Sequence, residues 1–352
     1  GDLKIWFELH NKNINYIGCG ISGGEKGARN GPCMMAGGTK QGYDNFSDIL
    51  NKICVSYEGE TCVNYFGNGG IGNYIKMVHN GIEYALMQLI SESYLILKVN
   101  YGLNNYEILN IFSLWNKNKL NSYLLEITIK ILNKKDEKIN LNLVDLIKDK
   151  VESKGTGYMT VIDALEKKVP INIIYSSLEF RNISALKESV SNNSSYKKKD
   201  TIGILENLEN SLYFCFILTF YQGLNLINKH YNFETNNDIN ILKILKVWRD
   251  GCIIRCNLLN DIISFSGENC NINNLLEFIN KNIMNKIYLE KVIKNNIKLP
   301  LITMTNCFEF IKIIDVEILH SGKLLQAMRD CFGSHMYERI DIDGKHHTNW
   351  ID

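Results

Sequence analysis

Lys76-Met77-Val78-His79-Asn80-Gly81-Ile82-Glu83-Tyr84 lies inside an apolar run, Ile75, Val78, Ile82, Leu86, Leu89 and Ile90, whose spacing predicts a long helix. Within that period Lys76, His79, Asn80 and Glu83 stand at i, i+3, i+4 and i+7, so all four leave the helix on one face. A base, an acid and two hydrogen-bonding groups on one rigid element are the components of proton-transfer catalysis. Taken alone, such a pattern is more often a solvated stripe on an amphipathic helix. Gly81 tilts the balance. A glycine inside a helix costs about 1 kcal/mol, and close approach of another element is a common reason to keep it.

Outward from this helix the texture divides in two. Upstream, Asn15-Tyr16-Ile17-Gly18-Cys19-Gly20 reads as a short strand entering a turn, and glycine is dense through Gly38 and again from Gly67 to Gly72, a loop-rich α/β pattern. Downstream the period predicts helices near 70–98, 105–115, 119–134, 141–152, 158–168, 175–194, 202–229 and 240–265. The three prolines, Pro32, Pro170 and Pro300, leave room for long buried helices. Asn192 to Lys199 reads as a solvated loop, and from Ser321 the chain reads as an extended tail that packs onto something.

Composition excludes several classes. The 352 residues suffice for two domains or one large core, and 45% hydrophobic content fits a globular protein. Lys+Arg 39 against Asp+Glu 38 leaves no basic excess, which argues against nucleic acid or a membrane surface as partner. The longest apolar stretch, Ser211 to Tyr221, is shorter than the roughly 18 residues of a membrane span and reads as the middle of a buried helix. Ten cysteines lack framework spacing; Cys252 and Cys256, one helical turn apart, read as helical core, with reduced thiols and a cytoplasmic address. His346-His347 reads as surface, and no metal site is expected.

One glycine turn satisfies two motifs. Gly18-Cys19-Gly20-Ile21-Ser22-Gly23 fits the G-x-G-x-x-G of dinucleotide binding, and Gly20-Ile21-Ser22-Gly23-Gly24 fits the G-x-S-x-G of a nucleophile elbow. Both require a helix immediately afterwards. The glycine-rich continuation from Gly24 to Gly31 does not predict one, nor a βαβ unit. A hydroxyl with successive backbone N–H groups is expected instead to cradle an anion or a hydroxyl-rich ligand.

Five blocks together carry a family resemblance. Ile21-Ser22-Gly23-Gly24-Glu25-x-Gly27-Ala28-Arg29, Lys76 through Tyr84, Lys154-Gly155-Thr156-Gly157, Trp248-Arg249-x-Gly251-Cys252-Ile253-Ile254-Arg255 and Gln326-x-x-Arg329-Asp330-x-Phe332-Gly333-x-His335-x-Tyr337-Glu338 resemble the decarboxylating 6-phosphogluconate dehydrogenases, as does the closing His347-Thr348-Asn349-Trp350. The order of the blocks matches over nearly the whole chain. The resemblance implies a mainly α fold: 1–68 as the C-terminal part of an α/β Rossmann-type NADP domain, 69–316 as a large all-helical catalytic and dimerisation domain, and 317–352 as an extended C-terminal tail. On this alignment the chain starts inside the coenzyme domain, so the NADP-gripping turn is not among its residues and coenzyme-binding residues stay unassigned. Tyr158-Met159, Ala85-Leu86 and Ala36 depart from the family pattern beside the site.

The implied reaction oxidises 6-phosphogluconate with NADP and decarboxylates the product to ribulose 5-phosphate, in the pentose phosphate pathway and gluconate utilization. Lys76 would be the general base and Glu83 the general acid. His79, Asn80 and Tyr84 would hold the sugar, Ser22, Gly23 and Gly24 its carboxyl end, Lys154 and Arg181 the phosphate, and Thr156 would also bind substrate. Arg329 and His335 would enter from the second subunit of a homodimer with a shared site. Two other readings are a silent substrate-binding and dimerisation module and, further off, a serine hydrolase using Ser22.

Overall fold

The computed structural model describes residues 5–6, 8–9, 11–152, 155–186, 196–316 and 319–351. Two compact units emerge, Gly1–Phe308 and Glu309–Asp352. The chain is mainly helical, with small sheets.

The first unit opens with β1 (Ile17–Ser22), α1 (Gly24–Asn30) and β2 (Cys33–Gly38); β1 and β2 pair antiparallel from Ile17↔Gly38 to Ser22↔Cys33. Then α2 (Lys40–Ile53) crosses over to β5 (Val63–Tyr65), parallel to β2, after a small hairpin of β3 (Ser56–Tyr57) and β4 (Glu60–Thr61). This contradicts two expectations from the glycine-rich segment. A helix does follow Ser22, and a βαβ unit does form, beginning one strand later. Packing outweighs glycine's low helix propensity here, because α1 only bridges two paired strands. Gly18 and Gly20 lie in the strand, not in a turn. Every residue of β2 is buried, as its central place requires.

Helix α3 (Ile71–Leu95) carries the opening stretch and runs on through a π-helical turn, Ile96–Asn100. Its start presses on the sheet: a Cβ at Gly20 would lie 2.5 Å from both the Gly72 carbonyl and Lys76 Cβ. Around it stand α4 (Asn105–Trp115), α5 (Tyr123–Asn133), α6 (Thr156–Glu166), α7 (Asn172–Ala185) and α8 (Ile204–Thr235). Gly81 is where α6 and α7 close in, since a Cβ there would meet Thr160 Cγ2 at 3.0 Å and Ile174 Cγ2 at 3.2 Å. Helix α8 is buried from Ser211 to Phe220 and packs on α3. Next come α9 (Ile241–Trp248), α10 (Asn257–Ser266), α11 (Ile272–Lys281), α12 (Asn285–Asn295) and α13 (Ile302–Asp315), the last crossing into the second unit.

Other expectations also need correction. The helix expected over 141–152 is a single 3-10 turn, Leu143–Leu146; Leu143, Leu146, Ile147 and Val151 are exposed, so its apolar period buries nothing. The segment 240–265 is two helices. The break is at Gly251, whose φ of +65° and tight fit against the backbone of Pro32 and Cys33 admit only glycine. Cys252 and Cys256 therefore lie in and after that break, buried but not on one helix. The helix expected over 175–194 spans 172–185, and 187–195 lie outside the described residues.

The second unit is not an extended tail from Ser321. It holds α14 (His320–Gly333) and a hairpin of β6 (Tyr337–Glu338) with β7 (Lys345–His346). His347 is on the surface as expected, and from there its Nδ1 donates to Asp330 Oδ1 at 2.9 Å.

Candidate active site

The helical period of α3 brings Lys76, His79 and Glu83 to one side, and His79 joins them. Its Nδ1 is 3.1 Å from Lys76 Nζ and 3.8 Å from Glu83 Oε2, while its Nε2 is 3.1 Å from Ser22 Oγ, at the end of β1. His79 is fully buried, with its ring edge-on to Trp248. Burial pushes its pKa far down, and the neighbouring Lys76 pushes the same way, so the imidazole is neutral at ordinary pH. A neutral ring beside an amine that donates has one consistent tautomer. Lys76 N–H donates to Nδ1, and Nε2–H donates to Ser22 Oγ. Ser22 Oγ also accepts the Ile253 N–H at 3.4 Å, leaving its own proton for a ligand.

The two groups flanking the imidazole shift in opposite directions for one reason. Burial lowers the Lys76 pKa, against the opposing pull of Glu83. Burial raises that of Glu83, against Lys76 and Arg181. An amine made more willing to lose a proton thus stands beside a carboxyl made more willing to keep one. Glu83 retains 21% side-chain exposure, which gives it contact with solvent or ligand.

Arg181 on α7 stacks its guanidinium 3.7 Å from the centre of the Tyr84 ring, and its Nη1 donates to the Glu152 carbonyl at 3.0 Å. Its Nη2 points at Met87 Sδ at 4.0 Å, a weak sulfur contact that an anion would readily replace. Lys76, Asn80 and Thr156 line a cavity of about 980 Å³. Thr156 opens α6, and Thr160 Oγ1 ties that helix to α3 by donating to the Met77 carbonyl at 3.0 Å. Gly23 and Gly24 have φ of +127° and +56° at the mouth of α1, and Gly23 abuts the Gly251 carbonyl.

Of the expected site residues, the structure gathers Ser22, Lys76, His79 and Glu83 into one network. Tyr84 and Arg181 stack on each other, with Arg181 near enough to Glu83 to act on its pKa. Lys154 lies outside the described residues. Arg329 and His335 belong to the second unit, both exposed. Among the described residues no group of three His, Cys, Asp or Glu side chains is placed to hold a metal ion, and no helix is long and apolar enough to cross a membrane.

Sequence reading missed the Ile253 N–H; its signal was Gly251, whose positive φ breaks the helix between α9 and α10. Also missed was a cavity-wall cluster, in which Tyr74 donates to Asp163 Oδ2 at 2.5 Å and stacks 3.6 Å from His230. Its members come from three distant helices, and no local pattern marks them.

The strand–turn–helix around Ser22 meets the formal requirement of a nucleophile elbow. The chemistry does not follow. A hydrolytic histidine needs a carboxylate on its Nδ1, whereas here an amine stands at 3.1 Å and the carboxylate is beyond hydrogen-bond reach.

Known proteins similar to this chain match it along nearly its whole length. Residues 72–350 match the family model for the 6-phosphogluconate dehydrogenase C-terminal domain, and residues 4–67 match that for the NAD binding domain of 6-phosphogluconate dehydrogenase. The decarboxylating 6-phosphogluconate dehydrogenase 1 of Spinacia oleracea is 39% identical over 97% of this chain and 74% of its own length. That of Escherichia coli (strain K12) is 39% identical over 98% and 76%. The Plasmodium falciparum 6-phosphogluconate dehydrogenase, solved in its apo form, with NADP+ and with 6-phosphogluconate, superposes with a TM-score of 0.91 at 37% identity, covering 99% of this chain and 77% of that one.

Proposed function

The chain belongs to the 6-phosphogluconate dehydrogenase family, and from that premise we propose how its residues carry out the oxidative decarboxylation of 6-phosphogluconate to ribulose 5-phosphate. It is an NADP-dependent enzyme of the decarboxylating type. NADP, when bound, accepts the hydride from C3 of the sugar acid. No described residue is assigned to its pyrophosphate, because Gly18 and Gly20 of the apparent fingerprint lie in a strand and Gly20 is filled against Lys76 and Gly72.

Protons are the business of α3. Lys76, with its pKa lowered by burial, takes the C3 hydroxyl proton as the hydride departs. As ammonium it then donates to the C3 ketone oxygen, which draws the electron pair of the breaking C1–C2 bond into the ketone as carbon dioxide leaves. The β-keto acid thereby becomes an enediol. Glu83, made readier to keep a proton by burial, passes one to the carbon that lost carbon dioxide, while Lys76 takes back the proton of the C3 enol hydroxyl and the ketone re-forms. His79 stays neutral and holds Lys76 and Ser22 in register. Ser22, Gly23 and Gly24 take the carboxyl end, Asn80 and Tyr84 the hydroxyls, and Arg181 with Thr156 and Lys154 the phosphate. Arg329 and His335 complete the site from the second protomer of a cytoplasmic homodimer.

The observation that carries this reading is the buried Lys76–His79–Ser22 chain with Glu83 beside it. The test is NADPH formation with 6-phosphogluconate. Wild type turns over, and Lys76→Met loses oxidation by about a thousandfold or more while substrate binding measured by calorimetry stays within severalfold. Near-normal turnover of Lys76→Met removes Lys76 as the base. Binding without any turnover in wild type favours the silent module.

A further inference from the structure

Of the residues of α14 only Asp330 is buried, at 0% exposure, while Leu324, Leu325, Met328 and Phe332 stand exposed. That inverts what an amphipathic helix normally hides. A buried carboxylate requires donors, and Asp330 has three from the far end of the chain. Oδ1 accepts from His347 Nδ1 at 2.9 Å; Oδ2 accepts from the Thr348 N–H at 3.0 Å and from Trp350 Nε1 at 2.7 Å. Burial raises its pKa, and these donors more than offset that, holding the carboxyl below the usual range.

The clasp is continuous with the groups the arm offers. Trp350 packs 5.8 Å from the Tyr337 ring, and the Tyr337 and Thr348 hydroxyls are 2.5 Å apart. Tyr337 pairs with His346 across the hairpin. On the other side Gln326 Nε2 donates to the His335 and Met336 carbonyls at 2.8 and 2.9 Å, and its Oε1 accepts from Arg329 Nη1 at 2.9 Å. Arg329 and His335 therefore share one amide, directly beside the carboxylate that pulls the returning strand onto α14.

We propose that Asp330 is a positioning residue for catalysis: its carboxylate closes the C-terminal arm on itself and so fixes Arg329 and His335 in the arrangement in which they meet substrate. This rests on the reading above that those two side chains serve the partner's site. Asp330 touches no substrate. It acts through its neighbours, by spending three donors on one carboxylate rather than on the protein core.

The test compares Asp330→Asn, Trp350→Phe and Arg329→Ala in the enzyme, with KM for each substrate, kcat and oligomer mass. Asp330→Asn raises KM for 6-phosphogluconate about tenfold, the scale of losing charged hydrogen bonds, with KM for NADP and kcat within about twofold. Trp350→Phe, which keeps the ring and removes one donor, raises it about threefold. A uniform loss of kcat, or dissociation with normal KM in the remaining dimer, marks a merely structural role and overturns the proposal. If Asp330→Asn does not fold, Trp350→Phe decides by the same criterion. An Arg329→Ala effect on KM without any from Asp330→Asn or Trp350→Phe sinks the clasp and leaves the shared site standing. No effect from Arg329→Ala sinks the shared-site reading itself.

Discussion

An imidazole with its Nδ1 3.1 Å from an amine nitrogen in a buried site is held neutral, and that neutrality orders everything around it. It fixes the tautomer, points Nε2–H at Ser22 and leaves Lys76 to interact with Glu83 across the ring. Because the Glu83 carboxylate supports the Lys76 ammonium, Glu83→Gln lowers the lysine's pKa further. The rising limb of NADPH formation against pH, measured in a single turnover that precedes the final protonation, accordingly moves to lower pH. An unchanged limb, or one moved to higher pH, breaks the coupling. The face carrying Lys76, His79, Asn80 and Glu83 was legible because 3.6-residue periodicity is local. Its meeting with Ser22, 57 positions away, depends on how the sheet abuts α3, and that is not local.

At the scale of elements, α3 and α8 were readable because each buries an apolar period against the other. The segment 141–152 shows the same period and forms almost no helix, since its apolar side finds no partner and stays exposed. Helix α1 is the converse, a glycine-rich piece made helical by the strands it joins. Glu92 illustrates how elements are tied together: from α3 it accepts the N–H groups of Thr303 and Met304, both at 2.8 Å, at the start of α13. Burial pushes its pKa up to about 7 from 4.5. The folded state therefore binds this proton more tightly than the unfolded chain. Its favourable contribution is full below pH 4.5 and is lost as pH rises to about 7. Thermal melts across that window slope down less steeply with pH for Glu92→Gln than for wild type. Equal slopes contradict a raised carboxyl.

For the whole molecule, family membership was legible from blocks spread over the chain, while the form of the C-terminal unit was not. Its last residues read as extended because they lack a period; what organises them is Asp330, whose donors lie 17 to 20 positions away. On the proposed reading, one site takes its proton-transfer groups from α3 of one protomer and its closing groups from the arm of the other. Such a site admits complementation. Lys76→Met and Arg329→Ala protomers, assayed below the KM of wild type and then mixed and allowed to exchange, form mixed dimers in which one of the two sites carries neither change. NADPH formation should recover to about a quarter of wild type, since about half the dimers are mixed and each has one intact site. Activity that stays at the average of the two separate variants contradicts a shared site.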